Sequence, residues 1–238
     1  MQEYQGILLD DKEYECIKDF EKLVGRSLPH LNRVKGNRFG FQTVDSHVIG
    51  INMHRRMLKT IPESIKNLTE LKILSLAFNN LKEFPNEILD LQKLEFLVLN
   101  VNFLDKIPAE IEKLKNLTHL EIHSNKITLI PREITNIVEL QELVISNNKI
   151  LEIPENIGKL KNLKRFVATS NRLETIPRSI GNLQSLQELF FDENNIKKLP
   201  SEIGKLTQMK QFWINNNRMP RLPKEVQILE DAGVKVHR

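Results

Sequence analysis

His119-Leu120-Glu121-Ile122-His123 is the stretch of this 238-residue chain that most invites a chemical reading. On a strand, alternate side chains face the same way, so His119, Glu121 and His123 would share one face. Imidazoles and carboxylates are metal ligands and proton carriers. The two histidines would stand about 13 Å apart along a strand, so one ion cannot take both. A metal-binding or enzymatic role would therefore centre on His119, Glu121 and Glu142, with Glu142 on the neighbouring strand. A histidine beside a carboxylate, without a nucleophile or a pocket, is not a catalytic site, and solvated polar surface is the better reading. No phosphate loop, serine triad, Cys–His set or zinc knuckle is visible. Cys16, the only cysteine, falls on the apolar side of a helical stretch, where packing is its expected role. No catalytic residue, cofactor or metal is expected, and the chain does not read as an enzyme.

What must position these residues is a repeat. Pro62, Pro85, Pro108, Pro131, Pro154, Pro177, Pro200 and Pro223 recur every 23 residues. A period of this size means stacked units forming an elongated solenoid. With position 1 at Val48, eight units run over 48–231. Position 4 is Ile51, Leu74, Leu97, Leu120, Leu143, Phe166, Leu189 and Phe212. Position 6 is Met53, Leu76, Leu99, Ile122, Ile145, Ala168, Phe191 and Ile214. Position 9 is Arg56, then asparagine from Asn79 to Asn217. Positions 4 and 6 lie two apart, as on a strand. Positions 15, 18 and 21 lie three apart, which suits a short helix or 3₁₀ segment with proline in its first turn. No unit can bury its own apolar set, but a stack makes one continuous column. The position-9 asparagine is too polar for that column unless fully bonded, so a ladder of amides to the loop backbone of its own and adjacent units is expected.

The pattern LxxLxLxxNxLxxIPxxIxxL, complete from Leu140 through Asn148 to Pro154, resembles the leucine-rich repeat family in the 23-residue form of bacterial, archaeal and Ras-adaptor proteins. The resemblance covers about three quarters of the chain. It implies an α/β solenoid: a curved horseshoe with a parallel sheet on the concave face and short helices or 3₁₀ segments on the convex face. It also implies protein binding; the rival readings are a purely structural module and, by analogy with the Ras-adaptor members, a regulator of a small GTPase.

The ends depart from the period. Residues 1–47 read as an N-terminal cap, with a helix at about 12–25 (Tyr14, Ile17, Phe20, Leu23 and Val24 at helical spacing, then Gly25) and a strand at about 39–44. Asp45-Ser46-His47 would turn that strand into the first repeat strand as a β-hairpin, guarding the sheet edge. Residues 224–238 read as a C-terminal cap overlapping the last unit. The charged fraction is 28% and the formal net charge +4. No Lys/Arg block stands out, so nucleic acid is not an expected partner. No stretch approaches a membrane span. A lone cysteine allows no disulfide-bonded cap. Met1 to Asp11 has no basic-apolar run, so no secretory leader is expected. A cytoplasmic monomer in an intracellular signalling or scaffold role is the expectation.

Positions 3, 5 and 7 of each strand should face the concave side, with position 8 at its rim. Two apolar groups stand out there: Ile73, Phe78, Phe96, Val98 and Val101 on units two and three, and a stripe of Val144, Val167, Phe190 and Trp213 across units five to eight. Exposed aromatic residues in a row point to a partner surface. Arg165 should sit between Glu142 and Glu188, leaving Asp192 and Glu193 unpaired and able to attract a basic segment. The expected partner is another protein that offers a basic or apolar segment.

Overall fold

In a computed structural model, residues 1–221 and 223–238 are described. The position-14 residue of the last unit, Leu222, lies outside them. Each repeat strand is short because an outward bend follows it. The strands are β4 (His47–Asn52), β5 (Ile73–Ser75), β6 (Phe96–Val98), β7 (His119–Glu121), β8 (Glu142–Val144), β9 (Arg165–Val167), β10 (Glu188–Phe190) and β11 (Gln211–Trp213). They pair in parallel and in register, so each position stacks directly on its counterpart one unit away.

The return path is a 3₁₀ turn. In the second full unit, for instance, it spans Asn86–Asp90, directly after Pro85. Proline fixes φ and needs no donor, so its carbonyl is free to accept the N–H three residues on, as Pro62 does from Ile65 at 3.1 Å. The position-18 residue that donates this bond is Ile65, Ile111, Ile180 or Ile203 in representative units, each fully buried. The apolar side chains of strands and turns form one continuous core along the solenoid.

The asparagine ladder is present. Asn79 Nδ2 donates to Leu76 O at 2.8 Å and to Met53 O of the preceding unit at 2.9 Å, while its Oδ1 accepts from Leu58 N at 3.0 Å. The same three-way arrangement repeats through Asn171 and on to Asn217. One amide thereby satisfies backbone groups that the bend would leave orphaned.

At the N-terminal end a small hairpin absent from the sequence reading, β1 (Gln2–Tyr4) and β2 (Ile7–Leu9), precedes α1 (Asp11–Val24). Asp10 caps α1 by accepting from Lys12 N at 2.9 Å. Cys16, Ile17 and Phe20 are buried, and Asp19 accepts from Ser64 Oγ of the first 3₁₀ turn at 2.8 Å. The helix thus takes the place of a preceding unit's turn. The strand β3 (Gly40–Val44) pairs antiparallel to β4. Asp45 and Ser46 both have positive φ, 48° and 65°, which makes the two-residue turn that suits a twisted hairpin. Leu31 N and Phe41 N bond across to Phe41 O and Pro29 O, partly covering the edge of β3. At the other end α2 (Lys224–Asp231) leads into β12 (Lys235–His237), which pairs parallel to β11 and completes a ten-stranded sheet.

Candidate functional site

The concave face is the open side of the sheet, and its lining follows from strand register. At its N-terminal end the cap intrudes. Residues 33–37 fold over the sheet, where Asn52 Nδ2 donates to Gly36 O at 2.7 Å and Gln42 Oε1 accepts from Val34 N at 2.9 Å. The Val34 side chain presses on Gly50, where an added Cβ would lie 3.1 Å from Val34 Cγ2. That close approach explains a glycine at an outward strand position. Beside this loop is a groove with an apolar floor of Ile73, Phe96 and Val98. Arg33 and Lys35 form one wall, and His54, Phe78 and Glu121 line it further.

The first apolar group thus converges on one groove, with Val101 partly exposed at the rim nearby. Phe96 stacks on His119, ring centroids 4.2 Å apart. Phe78 is 37% exposed and carries the Arg55 guanidinium over its ring at 4.8 Å. Burial, reinforced by the Arg55 and Arg56 charges, holds the His54 imidazole below its ordinary value.

The second group does not form an exposed stripe. Val144 and Val167 are each only 8% exposed. Both are short, and in-register neighbours on strands about 4.8 Å away close over them. Phe190 and Trp213 remain partly open, but within a stack. Arg165 lies over Phe190 at 5.4 Å, Phe190 on Trp213 at 6.0 Å, and Trp213 on His237 of β12 at 3.8 Å. The covering strand was not legible because its three residues carry no repeat signature.

The charges divide similarly. Arg165 does bridge, reaching Glu142 and, at 3.0 Å, Glu188. Asp192 and Glu193 are not free of partners: Asp192 accepts from Thr169 Oγ1 at 2.8 Å and Glu193 from Ser170 Oγ. Both hydroxyls sit one unit away, a contact the position-by-position reading of charges overlooked.

The histidine motif splits three ways. Thr118 Oγ1 lies 2.8 Å from His119 Nδ1, Glu121 accepts from Asn100 Nδ2 at 2.7 Å, and His123 Nδ1 lies 3.0 Å from Ser124 Oγ. Burial keeps the His123 imidazole below its ordinary value, against the opposing pull of Glu121. His119 Nε2 and Glu142 are 4.0 Å apart. Among the described residues no three His, Cys, Asp or Glu side chains gather into a group able to hold a metal ion. Cys16 is fully buried and burial pushes its thiol up to about 12, so it is not a nucleophile at neutral pH.

Position 8 carries a feature that its varied residue types concealed. Arg55, Phe78, Val101, Ser124, Asn147, Ser170, Glu193 and Asn216 all have φ between 53° and 57°. The left-handed residue turns the chain out of the sheet in every unit, and so aims the rim side chains. Among the described residues no helix is long and apolar enough to cross a membrane.

Comparison with known proteins agrees with this architecture. Residues 109–190 match the family model described as a leucine-rich repeat region. No curated protein matches the chain. Among solved structures, a leucine-rich repeat protein of Leptospira interrogans shares 32% identity at a TM-score of 0.64, covering 80% of this chain and 54% of that one. The leucine-rich repeat ectodomain of the membrane receptor kinase GASSHO1/SCHENGEN3 from Arabidopsis thaliana was solved in complex with Casparian strip integrity factor 2. It shares 26% identity at a TM-score of 0.68, over 79% of this chain and 23% of that one. An internalin of Listeria monocytogenes shares the fold at 19% identity, with a TM-score of 0.72 over 97% of this chain and 66% of that one. This chain therefore spans about half the length of the Leptospira protein and less than a quarter of the plant ectodomain.

Proposed function

The chain is a leucine-rich repeat protein, and on that premise we propose that it is a non-enzymatic scaffold that holds another protein on its concave face. The observation that carries this reading is the groove beside residues 33–37, where Ile73, Phe96 and Val98 stay partly exposed on an otherwise well-packed sheet. Leaving contiguous large apolar side chains open to water is unfavourable unless a partner covers them. The architecture supports the same reading. A rigid stack with a polar ladder inside and a concave row of variable side chains outside offers area, and the His119, Glu121 and Glu142 side chains are engaged with separate neighbours. The ectodomain of the plant receptor, solved in complex with Casparian strip integrity factor 2, is a precedent for partner binding by this architecture.

Affinity capture from lysate of the source cells tests the reading. The wild-type chain should retain a protein that Phe96→Asp and Ile73→Asp lose, with thermal midpoints of the variants close to wild type. Equal capture by wild type and both variants would show that binding, if any, uses another surface. A midpoint falling as far as for Leu143→Ala would show that these side chains are core.

A further inference from the structure

We infer that the cap-end groove takes a peptide segment in which acidic residues flank a bulky apolar anchor. This rests on the concave-face reading above and narrows it. From Arg26 to Arg56 the chain carries six cations, Arg26, Arg33, Lys35, Arg38, Arg55 and Arg56, against one acid, Asp45. Among the described residues none of the six forms an ion pair. Elsewhere some cations are matched across units, as Lys93 is with Glu70 at 2.6 Å and Lys197 with Glu174 at 2.7 Å. The sequence reading missed this block because aromatic, apolar and polar residues are interspersed in it.

Two of the unmatched cations are crowded together. Arg26 and Arg56 both lie over the Phe39 ring, at 5.3 and 4.1 Å. Arg56 Nε is buried without a hydrogen-bond partner, because this residue stands where later units place the ladder asparagine. Burial and then the Arg26 charge pull the Arg56 guanidinium below its ordinary value. Like charges gathered this closely are held at a cost that an incoming anion relieves.

Placement selects the kind of anion. Arg33 and Lys35 are exposed on the groove wall, directly beside the apolar floor. A carboxylate meeting them would set a neighbouring apolar side chain against Phe96 and Phe78. A flat lipid surface cannot reach a floor recessed between the sheet and the 33–37 loop. The far end of the face fixes which end of a ligand lies where. Glu142, Glu188, Asp192 and Glu193 there outnumber Arg165 and Lys235, so acidic residues are repelled from it and drawn to the cap.

The test is selection from a phage-displayed random-peptide library on the full chain, followed by fluorescence anisotropy with the selected peptides. The expected sequences place Asp or Glu beside Phe, Leu, Ile or Trp. Their affinity should fall at least tenfold in Arg33→Glu/Lys35→Glu and in high salt, and recover when the peptide's acids are exchanged for lysines against that variant. Arg33→Gln/Lys35→Gln serves as a milder second variant, and unchanged thermal midpoints would show both folded. No enrichment would overturn the proposal. Basic peptides sensitive to Phe190→Asp but not to the cap variants would also overturn it, and would leave the concave-face reading standing. Selected peptides insensitive to Phe96, Phe190 and cap substitutions alike would overturn both. Tighter binding of phosphatidylserine vesicles or a single-stranded oligonucleotide than of any selected peptide, lost in the cap variants, would assign the cations to another ligand and overturn the proposal.

Discussion

Val101 holds φ at 53°, a conformation that a β-branched side chain tolerates poorly. Asn147 and Asn216 occupy the same position and the same conformation with a side chain suited to it. Val101→Asn should therefore raise stability by about 1 kcal/mol, read as a higher midpoint in denaturant unfolding. A lower midpoint would mean that Val101's packing outweighs its strain. Glu21 makes a second residue-scale point. Burial pushes its carboxyl up, but Lys18, the Tyr4 hydroxyl and Leu28 N outweigh burial and hold it below its ordinary value. A carboxyl lowered in the folded state contributes stability that is present above its unfolded value, near 4.5, and is lost as pH falls through the folded one. Glu21→Gln should be less stable than wild type at neutral pH and should lose less on acidification. Parallel acid limbs for the two proteins would contradict that. Residue types alone did not reveal either feature. Position 8 is Arg, Phe, Val, Ser, Asn or Glu, and its shared conformation belongs to the bend.

Among elements, the 3₁₀ turns stack closely in the later units. A Cβ added at Gly181 would lie 2.4 Å from Glu202 O, whereas at Gly204 its nearest neighbour is a flexible Ile228 carbon at 3.7 Å. Gly181→Ala should cost about 1–3 kcal/mol through forced displacement. Gly204→Ala should be neutral or gain about 0.4–1 kcal/mol by restricting the unfolded chain. Chemical denaturation of the two variants separates them, and equal midpoints would refute the close stacking. The repeat elements were legible because each unit restates the same demands: alternation on the strand, proline before the turn, an amide at the bend. Elements used only once were less so. The β1–β2 hairpin and β12 are three-residue strands whose pairing comes from tertiary context. The loop at 33–37 left one trace, a glycine at outward position 50.

The whole molecule is a one-dimensional stack, so each unit is stabilised mainly by its neighbours. Residues 1–47 supply the first neighbour: α1 covers the first turn and β3 pairs with the edge of β4. We expect removal of these residues to fray units one and two and to leave units five to eight protected in hydrogen exchange. Unchanged protection of the first two units, in a monomeric protein, would contradict this. At this scale the sequence placed the repeat strands and their outward positions, and the structure corrected which of those positions are open. Val144 and Val167 are covered, Trp213 is stacked against a strand that no periodicity announced, and the groove at Phe96 has a basic wall. The central claim is that this face holds a protein. Site-specific photocrosslinking in the source cells tests it most directly, with Phe96→benzoylphenylalanine on the concave face and Lys113→benzoylphenylalanine on the convex 3₁₀ turn. The account predicts a discrete protein adduct from position 96 and none from position 113. Adducts from 113 alone, or from neither, would contradict it.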